Sequence, residues 1–139
     1  MDPLLVASRI AASGLQAQSM RMRVISENLA NVDSTAKLPG GDPYRRKLVA
    51  FDQVLDGLDG PSLVGVKRIF ADDRPFEVSL QPSHPAADER GYVKLPNVNM
   101  MIEMADMREA GRAYEANLQI MKQSRDMVTA TIDLLRRAT

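Results

Sequence analysis

The chain has 139 residues, equal numbers of acidic and basic side chains, and no cysteine, a length that suits one domain or one small domain with appendages. Zero net charge argues against a nucleic-acid binder, which carries a basic excess or stripe, and the lack of Cys removes disulfides, thiolate nucleophiles and cysteine metal sites. No apolar run approaches the ~20 residues that span a bilayer, and an N-terminus that opens with Asp2 and offers only "LLVA" as an apolar run lacks the features of a signal peptide.

The first predicted element is a helix within residues 1–32. Asp2 suits its cap and Pro3 its first position. Leu4, Ala11, Leu15, Met22, Ile25, Leu29 and Val32 follow near-heptad spacing, with Ser8 and Gln18 filling the missing places on the seam. The pattern stops at "NVDSTAKLPGGDP", rich in turn formers, where Asn31 is expected to take a left-handed cap. Gly14, inside the helix, costs about 1 kcal/mol against Ala; a close helix approach or a tolerated surface position accounts for it equally well.

Residues 33–96 form a loop and a small β-rich middle. "YRRKLVAF", "SLVGVKRIF" and "PFEVSL" are rich in β-branched and aromatic residues and predict short strands. Residues 44–96, a unit of about 50 residues, are marginal as an independent domain. The stretch "SHPAADERGYVKLPNVN", Ser83 to Asn99, holds the only histidine, His84. Catalytic histidines need a partnered nucleophile or carboxylate, and metal sites need several ligands. A single His in a chain without Cys reads as a polar loop residue. The pairs Asp72-Asp73 and Asp88-Glu89 would have to supply the acid and base of a glycosidase, but adjacent carboxylates seldom converge on one substrate. Gly40-Gly41 lacks the following Lys and hydroxyl of a phosphate loop. No catalytic residue, cofactor or metal is expected. The stretch reads as a junction instead: Pro82 and Pro85 stiffen a loop, Gly91 permits a turn, "YVKL" runs as a strand, and Pro96 ends it.

The last helix is predicted within residues 97–139, capped by Asn97 or Asn99, with Glu103 at its positive end and Arg136 and Arg137 at its negative end. Its seam reads Met100, Met104, Met107, Gly111, Tyr114, Leu118, Met121, Arg125, Val128, Ile132 and Leu135, in alternating steps of four and three. A second stripe runs beside it: Ala113, Ala116, Ile120, Met127, Ala130 and Leu134, broken by Gln123. Two stripes predict neighbours on two sides. Gly111 lies on the seam and is expected to serve close packing. Asn28 and Asn117 lie inside helices, where Asn is a mediocre former, and either bond between helices or face solvent. Such a helix extends roughly 55–60 Å, too long for a compact domain of this size. The expected class is therefore mainly α with a small β region, the long terminal helices pairing as an antiparallel coiled coil. A two-helix pair leaves much of both seams wet, so other chains are expected to supply the remaining burial.

"SGLQAQSMRMRVISENLANVDST", Ser13 to Thr35, resembles the N-terminal signature of bacterial flagellar rod and hook proteins, with Asn28-Leu29-Ala30-Asn31 followed by a Thr. "GGDPYRRKLVAF" and "PSHPAADERGYVKLPNVNMMIEMADMREAGRAYEAN" resemble the proximal-rod branch of that family. Gly111 departs from the pattern, where Ala or Ser is usual. The resemblance implies a non-enzymatic subunit of the periplasmic rod of the flagellar basal body, a hollow torque-transmitting shaft. It implies copies of itself and other rod subunits as partners, and passage through the flagellar export apparatus without a cleaved signal. The seam residues Leu15, Met22, Ile25, Leu29, Met104, Met107, Gly111, Tyr114, Leu118, Met121, Val128, Ile132 and Leu135 are then expected in packing between subunits. Asn28, Asn31, Asn97, Asn99 and Asn117 are expected as caps and motif positions. Another member of the same family is the nearest competing reading; a wall-cleaving periplasmic enzyme and a cytoplasmic coiled-coil adaptor are more distant ones.

Overall fold

The structure, a computed structural model, describes residues 2–139. Six elements follow in order: α1 (Pro3–Ala30), β1 (Lys47–Leu55), β2 (Ser62–Ala71), β3 (Glu77–Leu80), β4 (Tyr92–Leu95) and α2 (Met100–Arg137). The helices have 28 and 38 residues, just under half of the chain. The fold is thus mixed, two helices with two small sheets. β1 and β2 run for nine and ten residues.

α1 starts as the sequence dictates. Asp2 Oδ1 accepts the Leu4 amide at 2.9 Å, and Pro3 needs no partner for a missing N–H. Its end differs from expectation. No non-glycine residue has a positive φ among the described residues, so Asn31 is not in the left-handed region. Its Nδ2 instead donates to the Glu27 carbonyl at 2.8 Å, satisfying one of the last helical carbonyls from the side chain. α2 is capped by Asn99, whose Oδ1 accepts from the amides of Met101 and Ile102. Glu103 lies in its first turn, and Arg136 and Arg137 in its last.

β1 pairs with β2, and β3 with β4. The β3–β4 pair is antiparallel, with Glu77 opposite Leu95 and Leu80 opposite Tyr92. The turn before β4 is shaped by Gly91, at φ 83°, and by Asp88 Oδ1, which accepts from the amides of Arg90 and Tyr92.

The chain divides into two compact units. The first joins residues 2–21, 51–67 and 109–139, and so most of α1, the β1–β2 ribbon and the later part of α2. Its buried positions are small: Ala11, Gly14 and Ala17 on α1, Ala110 and Ser124 on α2. Small side chains let two backbones come close and remain packed. Gly14 shows how close, because a Cβ added there would lie 2.7 Å from both polar atoms of the Asn117 side chain. Within this unit Arg21 Nη2 also reaches Glu109 Oε2 at 3.3 Å. As residue numbers rise along α1, their partners fall along α2. The helices here run in opposite directions.

The second unit joins residues 22–50 and 68–108. Its apolar core is slight: Val24, Ile25, Ala86 and the fully buried Val93. Beside these stand buried polar residues, Asn28, Arg46, Asp72 and Glu103. Hydrogen bonds and ion pairs must therefore hold much of this unit together.

Candidate functional site

The buried polar residues of the second unit form one network around Arg46. Its Nε donates to Glu103 Oε1. Its two terminal nitrogens each lie 3.3 Å from a carboxylate, Nη1 from Asp72 Oδ2 and Nη2 from Asp106 Oδ2. The planar guanidinium fork suits several carboxylates at once, as a lysine point charge does not. Three acids thus close on a cation that the chain supplies itself.

Asn28 completes the network from α1. Its Nδ2 donates to Lys47 O at 2.9 Å and to Glu103 Oε2 at 3.3 Å, and its Oδ1 accepts from Tyr44 Oη at 2.7 Å and the Lys47 amide at 2.9 Å. All four hydrogen-bonding positions of the amide are used. Asn97 does a similar task and does not cap α2. Its Oδ1 accepts the Arg46 amide at 2.7 Å, and its Nδ2 donates to the carbonyls of Asp72 and Arg74. These amides pin the start of β1, the end of β2 and the approach to α2 to one another.

The electrostatics follow. Asp72 accepts from Arg74 Nη2 at 2.6 Å and from Arg74 Nε at 2.9 Å, and these bonds, with Arg46, hold its carboxyl at about 2. Arg74 is pushed up in turn by Asp72. Burial, and then the charges of Glu27 and Glu103, push the Tyr44 phenol up to about 12. A carboxylate at about 2 stays ionised at neutral pH and is unsuited to a general acid. Asp88 is likewise engaged, in its turn. His84 Nδ1 accepts the Ala86 amide at 3.0 Å, a local bond that shapes its turn.

The second feature is what α2 leaves uncovered. Glu103, Ala110 and Ser124 are its buried positions, and with Asn117 they stand seven apart along one stripe. This small and polar stripe, not the apolar seam, faces inward. Met107, Tyr114 and Met121 are half-buried at its edge. Met104, Leu118, Val128, Ile132 and Leu135 are exposed, as are Ile120, Met127 and Leu134 of the second stripe. On α1, Ile25 is buried while Leu15, Met22 and Leu29 are half-buried.

The two helical glycines have different surroundings within the chain. Gly111 has nothing within 4 Å of an added Cβ, so within the chain it serves no close approach. Gly14 is the packed one. Asn117 bonds along its own helix, Nδ2 to Ala113 O at 2.9 Å, whereas Asn28 bonds across to α2.

The charged network was not legible as such in the sequence. Arg46 reads as part of a basic run, Asp72 as part of an acidic pair and Glu103 as a dipole partner. The available signal was Glu103 itself, seven residues before Ala110 on what proves to be the buried stripe.

Comparison with known proteins bears on both features. The model of the flagella basal body rod protein family matches residues 9–36, and that of the C-terminal region of the flagellar basal body rod FlgEFG proteins matches residues 89–134. The flagellar basal-body rod protein FlgC of Agrobacterium fabrum is 56% identical over 136 residues, 98% of each chain. The chain belongs to the FlgC family of flagellar basal-body rod proteins. FlgC proteins of Borreliella burgdorferi and Salmonella typhimurium are each 39% identical, across 91% and 90% of this chain and 94% and 92% of their own. The two segments matched by the rod models are α1 with the turn after it, and β4 with most of α2. Asn28 and Glu103, two members of the buried network, fall one in each segment. Among the described residues, no helix is long and apolar enough to cross a membrane.

Proposed function

We propose that this rod-family chain is a structural, non-enzymatic subunit of the proximal rod. It assembles through its terminal helices with copies of itself and with other rod subunits into a hollow, torque-transmitting shaft in the periplasm. The supporting observation is the exposed apolar face of α2, from Met104 through Leu118, Val128 and Ile132 to Leu135. A face of that length in water is a binding surface awaiting cover. Heptad spacing on both helices suits coiled-coil packing between subunits, and contacts between unlike surfaces extend as a helix of subunits rather than closing in pairs. Torsional stiffness then comes from many long seams that would have to slip together. The subunit-packing residues are those of the two seams, including Gly111, whose open flank within the chain leaves room for a neighbouring helix. The Arg46 network has a different task, holding the start of β1, the end of β2 and the first turns of α2 together within the second unit.

The same reading includes export from the cytoplasm through the flagellar export apparatus in an unfolded state. Ordering of the helix ends is completed on assembly, since their apolar faces gain burial only from neighbours. Limited proteolysis with circular dichroism tests this. The purified chain alone should be cut within the last turns of α2 and the start of α1, and should be protected there once mixed with the other rod proteins. Ends that resist cleavage equally in both states would contradict assembly-coupled ordering.

A further inference from the structure

The β1–β2 ribbon ends in a turn, Leu55 to Gly60, that is held rather than loose. The Asp56 amide donates to Pro61 O at 3.1 Å, and the Asp56 carboxylate lies 2.6 Å from Arg9 Nη2 on α1. Gly57 takes a φ of 86°, and Gly60 packs so tightly that an added Cβ would fall 1.6 Å from Asp56 O. This anchored turn presents Leu58 at 101% relative exposure, next to Leu55 at 67%. Asp59 follows, exposed and in no ion pair among the described residues.

The same unit carries a matching surface. The start of α1 and the later part of α2 leave a groove of about 360 Å³ lined by the apolar Leu4, Leu5 and Val128, by Ser8, Ser124 and Thr129, and by the charged Asp2 and Arg125. The Arg125 guanidinium enters no ion pair among the described residues. Among the described residues, the groove thus joins an apolar wall to a cation outside any ion pair, with Asp2 turned to capping α1, and the turn joins two leucines to an acid outside any ion pair.

We propose that the ribbon tip of one copy docks into this groove of a second copy, Leu58 against Leu4, Leu5 and Val128 and Asp59 against Arg125. The proposal rests on the rod-subunit reading and adds a specific docking point to it. Tip and groove are different surfaces, so the contact is heterologous and passes from copy to copy. One leucine and one rim ion pair bury far less than a stable interface between free chains requires. The contact therefore forms where helix faces already bring copies together, in the rod.

The chain has no cysteine, which permits a clean test. Full-length Leu58→Cys and Leu5→Cys chains are co-produced in place of the native copy, and isolated basal bodies are oxidised. A disulfide-linked dimer should form when both variants are present and be absent with either alone. Rods that contain both variants but give no mixed dimer overturn the proposal while leaving the rod-subunit reading intact. Thr129→Cys, exposed on the same groove, replaces Leu5→Cys if the latter disturbs assembly. Charge exchange gives a second arm: Asp59→Arg and Arg125→Asp should each weaken swimming, and their combination should restore it. Equal or additive defects in the combined variant also count against the contact.

Discussion

Gly14 and Asn117 meet so closely that a single added carbon on Gly14 would lie within 2.8 Å of three atoms of the Asn117 side chain. Asn117 cannot simply swing away, because its Nδ2 is bonded to Ala113 O. The pair thus fixes how the first half of α1 lies on the middle of α2, and it makes two helical glycines respond oppositely to the same substitution.

Gly14→Ala should lower stability by about 1 kcal/mol despite the better helix propensity of Ala. Gly111→Ala, with open space around it, should raise the stability of the isolated chain by up to ~1 kcal/mol. Urea unfolding followed by circular dichroism measures both. Combining Gly14→Ala with Asn117→Ala should recover the loss, since the second change vacates the contested space.

Removing one partner from the Arg46 network leaves an uncompensated buried charge, which costs about 3–5 kcal/mol. Glu103→Ala and Arg46→Met should each unfold the second unit at markedly lower denaturant. Arg46→Lys should not rescue it, because one ammonium cannot reproduce the fork toward Glu103, Asp72 and Asp106. Hydrogen exchange at the amides of β1 and of β2 near Asp72 reports this locally.

Asp72 makes the second unit acid-sensitive in a defined window. Its carboxyl is lowered from the usual 3.8 to about 2 by Arg74 and Arg46. The stability it contributes is fully present above about pH 4 and is lost as pH falls through about 2. With one pKa unit equivalent to ~1.4 kcal/mol, the contribution is about 2.5 kcal/mol at most. An acid titration of unfolding free energy should show this loss, and Asp72→Asn should flatten it while lowering stability at neutral pH.

Tyr44 has the opposite dependence. Its phenol is raised from 10.0 to about 12, so stability is present below about pH 10 and lost as pH rises through about 12. Tyr44→Phe removes the 2.7 Å bond to Asn28 and should cost about 1 kcal/mol at neutral pH, read by denaturant unfolding.

The helices were legible because local rules set their ends and periods: Asp2 with Pro3, Asn99 ahead of Met101, and apolar steps of three and four. Which stripe faces inward was not. Apolar spacing pointed to the seam through Met104 and Leu118, yet the chain's own helix lies on the small and polar stripe of Glu103, Ala110, Asn117 and Ser124. Hydrophobicity marks surfaces that will be buried and does not say by which chain. The Arg46 network stayed hidden for a related reason. Its bonded pairs are separated by up to 75 residues, and each charge taken alone has an ordinary surface explanation. The close contact of Gly14 with Asn117 needed the neighbour's position to be seen.

The central claim is that the exposed face of α2 is buried by neighbouring subunits. It is tested most directly by Leu118→Asp, a residue 36% exposed in the single chain and so able to carry a charge without disturbing the monomer's core. The measurement is the amount of the variant in isolated basal bodies, alongside its expression, its export and swimming of the cells. The account predicts normal expression and export, no incorporation into rods and loss of swimming. Rods of normal composition and cells that swim normally would contradict it.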